Sequence, residues 1–168
     1  MNKKIISSLI DVLKKEYEYH QKLCDSALSK KKAIIENEIE ELTDIINEEK
    51  ILLNDLDELE NERNQVLNNL AQEYDFKENP PQYNLLKEKL PDKYKQDLKN
   101  IRDKLLEVIE ELQKINEQNK VLLQEAVKLN NFSFDLMAEV LEPQTNVYGN
   151  DEENDDENKT QHIMDRKA

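Results

Sequence analysis

The sequence predicts an all-α protein: an elongated antiparallel three-helix bundle or coiled coil with a long C-terminal helix and a disordered acidic tail. Three observations carry this expectation. The 168 residues include one Gly and four Pro, so the chain lacks the turn chemistry of sheets and favours long helices. Charged and hydrophobic residues each make up 37%, which suits helices that bury one stripe and solvate the rest. From Pro91 to Leu141, finally, an apolar or near-apolar residue recurs at alternating steps of three and four. That series is Tyr94, Leu98, Ile101, Leu105, Val108, Leu112, Ile115, Asn119, Leu122, Ala126, Leu129, Ser133, Leu136 and Val140, with the 3.5-residue average of a coiled-coil seam.

In chain order, a first amphipathic helix is expected over about residues 3–35, with Ile6, Leu9, Ile10, Leu13, Tyr17, His20, Leu23, Cys24, Ala27, Leu28 and Ile34 on its stripe. Lys30, Lys31 and Lys32 fall in its last turns, where positive charge complements the helix dipole. The pattern restarts near Asn37. Asn37 with Glu40 reads as an N-cap and capping box, giving a tight turn and a second helix over about 38–74; one continuous helix over 3–74 is the competing reading. The second stripe is Ile39, Leu42, Ile46, Glu49, Leu52 or Leu53, Leu56, Leu59, Arg63, Val66, Leu70 and Tyr74. Glu49 and Arg63 are expected at its edge, stems packed and charges in water.

Pro80 and Pro81 stop the second helix, and Pro91 begins or precedes the next. Between them Tyr83, Leu86 and Leu90 predict a short helix over about 82–89 that caps one end of the bundle. The third long helix, over about 92–141, would reach roughly 75 Å, longer than its partners can cover. Asn119 stands on its seam, where a polar residue commonly fixes register or partner number. After Leu141, Pro143 and the acids Glu142, Asp151, Glu152, Glu153, Asp155, Asp156 and Glu157 predict a disordered tail over 142–168, ending near Ile163 and Met164. A helical domain over 1–141 and this tail make up the expected organisation.

The formal net charge of −14 repels phosphate backbones and anionic headgroups, so a polypeptide partner is favoured over nucleic acid or membrane. Asp11, Lys14, Lys15 and Glu16 interrupt the apolar start too soon for a signal peptide, and no run approaches a membrane span. A cytoplasmic protein is expected, with Cys24 a small buried thiol. With one Gly there is no phosphate-binding loop, and with one Cys and two distant His no metal spacing. His20 reads as a packed or edge histidine. Carboxylate pairs on solvated helices are ordinary surface charge, so neither an enzyme nor a cofactor is expected.

The least ordinary stretch is Ile115–Leu141, which gathers Asn116, Asn119, Asn130 and Asn131 and then a run of apolar residues. Two of the three Phe residues, Phe132 and Phe134, lie there and cannot face one direction. Leu122, Ala126, Leu129, Phe132, Phe134, Leu136, Met137, Val140 and Leu141 form the candidate partner-binding surface, suited to a groove or a second helix. A terminal packing patch or a homodimer seam would present the same residues.

The fragments LIDVLKKEYEYHQKL, NEIEELTDIINEEKILLNDLDELENERNQVL and ELQKINEQNKVLLQEAVKLNNFSFDLM together resemble the FlgN family of bacterial flagellar export chaperones, over about residues 3–141. The resemblance rests on the Glu-Tyr pair of the first helix, on Leu59, Glu60 and Arg63, and on Asn116 and Asn119 followed by Asn131, Phe132 and Ser133. It implies a cytosolic helical chaperone that binds the C-terminal helical segment of hook-filament junction proteins, prevents their premature assembly and delivers them to components of the type III export apparatus. It also implies that substrate engages the C-terminal part of the chain, and it brings no catalytic residue or cofactor. Two other readings stand beside it: a coiled-coil adaptor or tether acting by self-association, including a homo-oligomer through the end of the third helix, and an enzyme regulator acting through the acidic tail.

Overall fold

A computed structural model describes residues 3–76 and 80–141, and these residues are all-helical. Four helices follow in order, α1 (Lys3–Glu36), α2 (Ile39–Glu73), α3 (Tyr83–Lys89) and α4 (Asp92–Leu141). The expected tail over 142–168, with Pro143, Ile163 and Met164, lies outside the described residues. By its internal packing the chain divides after Asn131 into one unit up to that residue and a second from Phe132 onward.

Asn37 ends α1 rather than starting α2. It adopts φ 58°, the left-handed conformation that Asn tolerates better than most residues with a Cβ. Its N–H donates to the Ile34 carbonyl at 3.3 Å, and the Glu38 N–H donates to the Ala33 carbonyl at 2.9 Å. This pair of reversed bonds satisfies carbonyls that the helix end would otherwise leave open. No side chain caps the start of α2, so the expected capping box does not form. Asp75 repeats the device at the end of α2, with φ 49° and the Phe76 N–H donating to the Ala71 carbonyl at 3.0 Å. Lys89 reaches back from α3 to donate to the Tyr74 carbonyl at 2.8 Å.

The last turn of α1 contains no basic residue, which corrects the dipole role expected of the lysines. Lys30 instead forms an ion pair with Glu49 of α2, Lys31 Nζ donates to Gln118 Oε1 of α4 at 2.9 Å, and Lys32 lies 3.7 Å from Glu36. These are contacts between helices, or along one helix face.

Within the unit up to Asn131, α1 is the common packing partner. Glu16 of α1 meets Arg63, while Ser26 and Lys30 meet Glu49, so α2 runs antiparallel to α1. Cys24 lies against Val108 and Ala27 against Asn119, so α4 runs in the direction of α1. One apolar cluster joins Ile6, Leu9 and Ile10 to Leu70, Leu86, Leu90 and Leu98, with Tyr83 packed against it. A second joins Cys24 and Ala27 to Val108 and Ile115. Ile6, Leu9, Val12 and Leu70 are essentially inaccessible, and each contributes on the order of 1.5–3 kcal/mol of transfer free energy.

The inward face of α2 differs from the expected stripe. Ile45 is buried, whereas Ile46 and Ile39 are exposed. On α1, Leu28 is exposed while Val12 and Ala33 are buried. The apolar pairs Ile45–Ile46 and Ala27–Leu28 offer two neighbouring positions to one stripe, and packing against the partner helix selects between them.

Candidate partner-binding surfaces

The seam of α4 is buried at Leu98, Ile101, Leu105, Val108, Ile115 and Asn119. Further along, Leu122 and Ala126 are half-buried and Leu129 is exposed. Of the predicted surface residues in the second unit, Phe132 is exposed by 59%, Phe134 by 70%, Leu136 by 45%, Met137 by 63% and Val140 by 83%. Leu141 is the last helical residue described. Steps of four place Phe132, Leu136 and Val140 along one side of the helix. Phe134, Met137 and position 141 follow steps of three and four on another. Phe132, Leu136 and Val140 on one side and Phe134 and Met137 on another thus leave apolar side chains in water on two sides of this helix end.

A second concave surface lies within the unit up to Asn131. A groove of about 550 Å³ runs along α1, with α2 and α4 as its walls and the start of α3 at one end. Leu9 and Leu13 form its floor, Leu56 and Leu67 line one wall, and Leu105 and Ile109 line the other. Leu53 and Leu106 stand on the opposing rims, about half exposed each.

One buried carboxylate enters this groove. Glu16 is 3% exposed, and its Oε2 accepts from Arg63 Nη1 at 2.9 Å. Arg63 Nη2 donates at the same time to Glu60 Oε1 at 3.0 Å, while Glu16 Oε1 is buried with no hydrogen-bond partner. Burial pushes the Glu16 carboxyl above the ordinary carboxylate range, and the adjoining Arg63 guanidinium opposes that rise. His20 Nδ1 donates to the Glu16 backbone carbonyl at 2.7 Å, so the imidazole serves the helix edge. At the far end, the Arg102 guanidinium lies 4.6 Å from the Tyr83 ring centre.

Glu49 therefore does not carry its charge into water, and Arg63 does so only in part. Glu49 is held by Lys30 and by Ser26 Oγ at 3.2 Å, with both charged side chains largely covered, and Arg63 joins α1 to α2. The sequence pattern marked both positions as interruptions of a stripe. It carried no signal that Glu16, on the facing helix, is the buried partner of Arg63.

Between α1 and α4, Asn119 is 3% exposed and its Nδ2 donates to the Ala27 carbonyl at 2.7 Å. Cys24 is buried between the same two helices, its Sγ 3.6 Å from the Val108 carbonyl, and burial pushes the thiol up. Among the described residues no group of three or more His, Cys, Asp or Glu could hold a metal ion, and no helix is long and apolar enough to cross a membrane.

The family model described as FlgN protein matches residues 1–155. No curated protein and no solved structure matches the chain.

Proposed function

From the premise that this chain belongs to the FlgN family of flagellar export chaperones, we propose that it binds the C-terminal helical segment of hook-filament junction proteins. It keeps those clients from assembling early and delivers them to the type III export apparatus, working in the cytosol. In this reading α1, α2 and α4 form an antiparallel three-helix bundle up to Asn131. Leu122, Ala126, Leu129, Phe132, Phe134, Leu136, Met137, Val140 and Leu141 receive the client.

The observation that supports this reading is the exposure of Phe132, Phe134, Met137 and Val140 on one short helical stretch. An amphipathic client segment laid along either side would bury several of them, each contributing on the order of 1.5–3 kcal/mol before ordering costs. Folding of the client on binding offsets much of that gain, so moderate affinity follows. Combined Leu136→Glu and Met137→Glu substitution tests it by size-exclusion co-elution with the client segment. Loss of co-elution with unchanged helicity by circular dichroism is expected. Retained co-elution would remove the α4 end from the binding surface.

A further inference from the structure

The groove walled by α2 and α4 has the form of a helical bundle with one position vacant. Three helices contribute apolar side chains to a common trough, and the exposed Leu53 and Leu106 on its rims gain burial only if something lies between them. Leu53 to Leu67 spans about 21 Å of α2, and Leu98 to Ile109 about 16 Å of α4, which matches an occupant of three to four helical turns. We propose that this groove binds an amphipathic α-helix from another polypeptide, one that carries a lysine or arginine within its apolar stripe and sets that cation against Glu16 Oε1.

The cation follows from the charges already in place. Glu16, Asp57 and Glu60 line the groove together with Arg63 and Arg102. Arg63 is divided between Glu16 and Glu60, and Arg102 lies over Tyr83 and pairs with Asp103 at 3.4 Å. One oxygen of Glu16 thus stays buried without a donor, a desolvation cost that an incoming ammonium or guanidinium relieves. A purely apolar helix would leave that cost in place. A second copy of this chain would bring a net charge of −14 toward the same acids.

Fluorescence anisotropy with the full chain tests this. The probes are two labelled amphipathic peptides of about 18 residues, identical except for Lys or Glu at the centre of a leucine stripe. Saturable binding of the Lys peptide at least tenfold tighter than the Glu peptide is expected. Leu53→Glu or Leu106→Glu should weaken the Lys peptide by a similar factor, with melting curves confirming that these rim variants fold. Glu16→Gln should reduce the preference for Lys to about twofold or less. The preference for the Lys peptide over the Glu peptide should persist in the α4 double substitution Leu136→Glu with Met137→Glu, which separates this groove from the client surface proposed above. Absence of binding, equal binding of the two peptides, or indifference to both rim substitutions would overturn the inference.

Discussion

Arg63 reaches across from α2 to donate to Glu16 Oε2 at 2.9 Å, and the second oxygen of that carboxylate is buried without a partner. The pair is unequal. Arg63 keeps Glu60 and partial access to water if Glu16 is neutralised, whereas Glu16 keeps nothing comparable if Arg63 is removed. Removing one partner of a buried pair costs most when the group left behind is the covered one. Arg63→Met should therefore destabilise the fold by about 2–3 kcal/mol, and Glu16→Gln by less than about 1 kcal/mol. Denaturant unfolding of the two variants checks the order, and equal losses would contradict it.

The same carboxylate sets a pH dependence. Burial raises its native pKa above 4.5, so between 4.5 and that higher value the native state binds more protons than the unfolded state. The stability gained by protonating Glu16 is fully present below 4.5 and is lost as pH rises through the native value. Glu16→Gln should flatten this contribution. Arg63→Met, by removing the opposing guanidinium, should move the window to higher pH. Unfolding free energies measured from pH 4 to pH 8 give both slopes.

The helical periodicity of α4 made its buried seam legible from Leu98 to Asn119, because a 3.5-residue stripe needs only local spacing. The exposed apolar end was legible for the same reason, as Phe132, Phe134 and Met137 exceed what one seam can use. The facing of α2 was harder to read. Ile45 and Ile46 both satisfy a stripe, and the choice belongs to contact with α1. The Glu16–Arg63 pair and the groove around it were not legible, since charge identity along one helix does not say which residue lies opposite on another. The restart of the pattern at Asn37 was legible, but its reading as an N-cap was not right, since its left-handed conformation assigns it to the end of α1 and not to the cap of α2.

Asn37 supports a stability prediction of its own. At φ 58° a Cβ without local hydrogen-bonding ability is penalised, so Asn37→Ala should cost about 1 kcal/mol, while Asn37→Gly should be neutral or slightly stabilising. Thermal melts of the two variants test the pair. Equal effects would show that the side chain, and not the backbone angle, matters at this turn.

Asn119 donates to the Ala27 carbonyl and leaves its own Oδ1 buried without a partner. A leucine there would lose one hydrogen bond and remove one unsatisfied acceptor, so Asn119→Leu should hold or raise stability. Its cost should appear as specificity, with additional oligomeric species in light scattering. A destabilised variant with unchanged association state would contradict this role.

Calorimetric titration of the protein with the C-terminal segment of a hook-filament junction protein from the same source, run at several temperatures, tests the central claim most directly. Saturable binding at a fixed stoichiometry with a negative heat-capacity change, abolished by Leu136→Glu with Met137→Glu, is the predicted result. No binding by the unsubstituted chain, with a stable homo-oligomer in light scattering, would contradict it and assign the exposed end of α4 to self-association.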